Sequence, residues 1–108
     1  AETETQLKGQ IYDTYWYKHI GTGELQQTVT RARGTFTALR DFSSKEEGLL
    51  VVDGVIVGVI DELAGLKEGK STYWGSGPNS RFLQPGEHTV ELWTVNWETA
   101  TPVFHKLK

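Results

Sequence analysis

This 108-residue chain has no cysteine, which excludes a disulfide framework and thiolate chemistry and leaves the redox compartment open. Proline is scarce, at 3 against 12 glycines, a balance that suits a turn-rich β-protein and not a disordered one. Basic residues are not in excess. Lys plus Arg (11) less Asp plus Glu (14) leaves a formal charge of −3, so there is no nucleic-acid footprint. No apolar run is long enough to cross a bilayer as a helix. The length suits one domain that can bury a core without staples.

Against those absences stand two strong β-signals. The first is Leu49-Leu50-Val51-Val52-Asp53-Gly54-Val55-Ile56-Val57-Gly58-Val59-Ile60. Asp-Gly between β-branched apolar runs predicts a hairpin, because both turn positions need positive φ. The second signal is Leu83-Gln84-Pro85-Gly86-Glu87-His88-Thr89-Val90-Glu91-Leu92-Trp93-Thr94-Val95. There Pro85-Gly86 presets a turn and a long strand follows.

The rest of the chain is read around these two. Residues 1–6 are polar and are expected to form a flexible tail, with residues 7–108 as a single β-sandwich domain. Residues 7–20 carry the strand formers Ile11, Tyr12, Tyr15, Trp16, Tyr17 and Ile20. A Thr-rich extended stretch follows, in which Gly34 predicts a bulge or bend. On it Phe36 and Ala38 share one face and Thr35, Thr37 and Leu39 the other, and which of the two points inward is left open. Residues 61–70 have room for one helical turn, since Gly65 and Gly69 oppose anything longer. Residues 71–81 read as a loop. Residues 101–108 form the last strand, with Pro102 at its start as an edge strand prefers. Seven or so strands and no long helix predict a β-sandwich, of jelly-roll or Ig-like type.

The order Gly34-Thr35-Phe36-Thr37-Ala38-Leu39, then Val51-Val52-Asp53-Gly54-Val55-Ile56-Val57-Gly58, then Leu83-Gln84-Pro85-Gly86-Glu87-His88-Thr89-Val90-Glu91-Leu92 resembles the galactose-binding-like β-jelly rolls. It is similar to carbohydrate-binding modules and to the N-terminal jelly roll of some carbohydrate esterases. The resemblance covers residues 30–95 and implies a jelly roll that recognises sugars. The matching residues shape turns and strands, as they also do in immunoglobulin-like domains, so no binding residue is carried over.

Aromatic residues are the main functional signal: Tyr12, Tyr15, Trp16, Tyr17, Tyr73, Trp74, Trp93 and Trp97. The segment from Ser71 to Arg81 combines Tyr73 and Trp74 with Asn79, Arg81, serines and glycines. Flat aromatics beside adaptable polar groups are recognition chemistry. A sugar ring stacking on Tyr73 and Trp74, with Asn79 and Arg81 bonding its hydroxyls, is one expectation; a Trp74 folded back to cap the core is the other. Alternation predicts that if Val90 and Leu92 face the core, Trp93, Val95 and Trp97 face away from it. Such a face is covered either by the same chain or by a partner, which makes Trp16, Trp93 and Trp97 candidate interface residues.

Catalysis finds no constellation here. His19, His88 and His105 are scattered, and Gly75-Ser76-Gly77 lacks the spacing of a nucleophile elbow. The carboxylates show neither calcium-loop nor paired-acid spacing, and there is no zinc spacing. No cofactor is expected. The start at Ala1 fits a mature end left by signal-peptide cleavage, with removal of an initiator methionine as the rival, and sets the expectation of an extracellular or cell-surface location. The leading expectation is a non-catalytic recognition module for a glycan or cell-surface polymer. The alternative is a self-assembling structural subunit of a filament, surface layer or capsid, a homo-oligomer built through exposed strands.

Overall fold

The computed structural model describes residues 3–15, 19–20, 27–28, 31–76 and 88–107. Among these the strands are β1 (Thr3–Glu4), β2 (Leu7–Tyr15), β3 (His19–Ile20), β4 (Gln27–Thr28), β5 (Arg31–Ala38), β6 (Glu46–Val52), β7 (Val55–Ile60), β8 (Ser71–Ser76), β9 (Val90–Asn96) and β10 (Val103–Leu107). A five-stranded sheet runs in the order β1-β10-β9-β6-β7, and a three-stranded sheet in the order β2-β5-β8. Strands β3 and β4 pair with each other. The chain is an all-β sandwich.

The β6–β7 hairpin forms as its turn chemistry dictates. Val52 pairs with Val55, and the two residues between them have positive φ, 51° at Asp53 and 80° at Gly54. That is the turn whose twist matches the flanking strands. On β5 alternation separates two surfaces: Ala32, Gly34, Phe36 and Ala38 are buried, whereas Arg33 is exposed and Thr35 and Thr37 are half-buried. The inward face left open by the sequence is therefore the Phe36 face.

The core lies between the sheets. Leu7, Ala32, Phe36, Ala38 and Trp74 come from the three-stranded sheet and meet Leu50, Val52, Ile60, Leu92 and Leu107 from the five-stranded one. Burying a side chain such as Phe36 or Leu50 contributes about 1.5–3 kcal/mol. Leu63, in a single 3₁₀ turn at Asp61–Leu63, closes one side, with Phe42. The expected helical turn is thus present and short. Among the described residues no helix is long and apolar enough to cross a membrane.

Two expectations need correction. Gly34 does not bulge. The bulge is on the partner strand, where Ile11 pairs with Gly34 and Asp13 with Arg33, leaving Tyr12 as the extra residue. Gly34 answers a close approach instead: a Cβ there would lie 1.8 Å from the Gln10 carbonyl oxygen and 2.7 Å from the Trp74 ring. The polar start is also not a loose tail at Thr3 and Glu4, which pair in parallel with Lys106 and Leu107. Charge tethers this strand. Arg40 Nη2 donates to Glu4 Oε1 and to Glu46 Oε2, each at 2.8 Å, and its guanidinium lies 3.9 Å from the centre of the Phe42 ring. Burial pushes the Glu46 carboxyl up, but Arg40 and the Ser43 N–H together hold it below the usual range.

Candidate functional site

The outward residues of the three-stranded sheet form a polar and aromatic face. Backbone register sets its rows. Lys8, Thr37 and Ser71 lie in one row, and Gln10, Thr35 and Tyr73 in the next. Arg33 and Gly75 follow. Hydroxyls knit the strands together: Thr37 Oγ1 and Ser71 Oγ are 2.8 Å apart, and Tyr12 Oη and Thr35 Oγ1 3.1 Å.

Tyr12 owes its place to the bulge, since an extra residue re-aims the side chain it carries. Its ring starts on β2 and its hydroxyl reaches Thr35 on β5, so the ring lies across the sheet and is 59% exposed. Tyr73, on β8 at the other side of Thr35, is 80% exposed. The two tyrosines stand on strands two interstrand steps apart, or about 10 Å. A hollow of about 510 Å³ is lined by Tyr12, Arg33, Gly34, Tyr73 and Trp74. A second, of about 340 Å³, runs along Gln10, Thr35, Thr37, Ser71 and the two tyrosines.

Trp74 borders that hollow but belongs to the core. It is only 3% exposed, and its ring stacks on Phe36 with centroids 5.6 Å apart. The physical reason is strand alternation. Ser71–Ser76 is a strand and not a loop, so Tyr73 and Trp74 must point to opposite sides. Among the described residues the Trp74 indole N–H has no acceptor. Asn79, Arg81 and Trp16 lie outside the described residues. Gln10, Arg33, Thr35 and Thr37 were missed by sequence reasoning. The available signal was their alternation with Ile11, Gly34 and Phe36, readable once the inward face was known.

The opposite surface is apolar. On the outer side of the five-stranded sheet, Leu49, Val51 and Val95 pack together with Trp93 partly covering them. A hollow of about 330 Å³ there is lined by Leu49, Val51, Gly54, Ile56, Trp93 and Phe104. Leu92 faces the main core and Trp93 and Val95 face away, as alternation predicts. Trp97, just past the strand, is exposed.

Two charged pairs lie along the five-stranded sheet. Glu91 sits 2.5 Å from Lys106, and that contact first, then the Trp93 indole N–H, holds its carboxyl below the usual range. His88 Nδ1 lies 2.6 Å from Asp53 Oδ2, and the Thr89 N–H donates to Asp53 Oδ1 at 2.8 Å. These two contacts, His88 foremost, depress the Asp53 carboxyl. Among the described residues no three His, Asp or Glu side chains are grouped to hold a metal ion. No protein family, no curated protein and no solved structure matches this chain.

Proposed function

We propose that this chain is a non-catalytic recognition domain that binds an extended carbohydrate, at the cell surface or outside it, on the outer face of its three-stranded sheet. The observation that carries the reading is the pair Tyr12 and Tyr73, both exposed and both flanking Thr35 on a hydroxyl-rich sheet. Tyrosine gives flat apolar area at a low entropy cost and keeps a polar tip. Their strands stand two spacings apart, and the Tyr12 ring reaches back toward Thr35, so the two rings lie nearer each other than their strands and flank one stretch of the sheet. A glycan crossing the strands would stack its rings along the two tyrosines. Gln10, Thr35, Thr37 and Ser71 then offer amide and hydroxyl groups to the sugar hydroxyls between them. The strand-and-turn likeness to galactose-binding-like jelly rolls points the same way. Trp74, only 3% exposed, offers a sugar little area.

A glycan array probed with the fluorescently labelled chain tests this. Retention by oligosaccharides of several residues, and not by single sugars, is the expected result. Absence of retention on every glycan would overturn the reading.

A further inference from the structure

We propose that the carbohydrate bound by the three-stranded sheet is anionic, a glycan carrying carboxylate or sulfate groups; this rests on the function proposed above and names the ligand class of the same site. Register carries it. The row of Gln10, Thr35 and Tyr73 lies between two others. Lys8 stands in the row on one side, with Thr37 and Ser71, and Arg33 in the row on the other, with Gly75. Neighbouring rows are two residues apart along the strands, or about 7 Å. Both cations are exposed. A glycan lying along the tyrosine row therefore has a cation on either flank, where substituents that project sideways from its rings would stand.

The lining of the face is the second observation. A further hollow of about 350 Å³ is lined by Lys8, Gly9, Gln10, Thr35 and Thr37. It shares Gln10, Thr35 and Thr37 with one of the two hollows described above, and that one shares both tyrosines with the other, so the three adjoin from Lys8 to Arg33. Among the described residues no Asp or Glu lines any of them, in a chain whose formal charge is −3. A site for neutral sugars gains from carboxylates, which accept from hydroxyls, whereas a site for anions excludes them.

Two acids stand beside the Arg33 flank. Asp13 is opposite Arg33 in the ladder, and Glu62 accepts from the Gly75 N–H at 3.4 Å. They temper the field there, while the Lys8 row contains no acid. Arg33 has contacts of its own within the chain and is exposed all the same. An exposed guanidinium offers a planar, two-pronged hold on a carboxylate or sulfate, and a lysine acts as a point charge.

Titration of the full chain with matched oligosaccharides decides the matter. The ligands are a uronic-acid oligosaccharide of several residues, the same oligosaccharide with its carboxyls reduced to alcohols, and a sulfated one of equal length. An anionic form is expected to bind about fivefold tighter than the reduced one at low salt. The gap should close near 1 M salt, where screening acts beyond about 3 Å. Either anion exceeding the reduced sugar supports the proposal, and the tighter of the two identifies the group. Lys8→Gln and Arg33→Gln alter exposed side chains and are expected to melt like wild type while each narrows the gap about threefold. Tyr73→Ala should weaken all three ligands alike. A reduced oligosaccharide that binds as tightly as the charged forms would overturn the proposal and leave the carbohydrate reading standing. So would a gap indifferent to both cation variants, or equal binding of polyglutamate, for which charge alone suffices. Failure of all three oligosaccharides to bind would remove the carbohydrate reading itself, and this proposal with it.

Discussion

Tyr73 and Trp74 are neighbours in sequence and lie on opposite faces of one sheet, Tyr73 in solvent and Trp74 stacked on Phe36. The two aromatics therefore separate surface from core. Trp74→Ala removes a core ring and is expected to cost about 3–5 kcal/mol. Tyr73→Ala is expected to stay within about 0.5 kcal/mol of wild type. Trp74→Phe keeps a ring against Phe36 and removes the indole N–H that lacks an acceptor, so it should cost clearly less than Trp74→Ala. Urea denaturation of the three variants checks all of this, and a Trp74→Ala protein as stable as wild type would refute the core position.

Gly34 and Gly54 are predicted to fail for different reasons. At Gly54 nothing lies within 4 Å of an added Cβ, so Gly54→Val meets only the cost of positive φ, about 1–2 kcal/mol. At Gly34 the added Cβ strikes the Gln10 carbonyl, which is backbone and cannot swing aside. Gly34→Ala is expected to cost about 3 kcal/mol or more, the upper end of overpacking. Thermal melts rank them, and a Gly34→Ala melt above that of Gly54→Val would contradict the order.

Acid should loosen the tie between the hairpin turn and β9. The folded Asp53 carboxyl is depressed by His88 and by the Thr89 N–H, so the unfolded chain binds its proton first as pH falls. Its contribution is therefore present above the unfolded aspartate pKa of about 3.9 and is lost as pH drops through the lower folded value. Asp53→Asn tolerates the positive φ but has no charge to lose. The wild type should thus show a steeper fall in melting temperature below about pH 4 than the variant. Parallel curves would remove the pair as a source of acid sensitivity.

What was legible in the sequence was local. Asp53-Gly54 announces its turn because two adjacent residues determine it, and the outward Trp93 follows from alternation along one strand. What was hidden depends on distant partners. Thr3–Glu4 is ordered through Arg40, 36 residues after Glu4, and no apolar pattern marks it. Ser71–Ser76 was obscured by the glycines, Pro78 and Asn79 that follow, which pull the whole segment toward a loop reading. Tyr12 carries no sign that its strand bulges there, because the bulge is a property of the β2–β5 register. The polar face became visible only once Phe36 fixed which side of β5 is inside.

The most direct test of the proposed carbohydrate face is calorimetric titration of an extended oligosaccharide into wild type, Tyr12→Ala and Tyr73→Ala. Each variant is expected to melt like wild type and to lose affinity about tenfold or more, which is about 1.4 kcal/mol. Wild-type affinity retained in both variants, or no heat from any oligosaccharide with the wild type, would contradict the account.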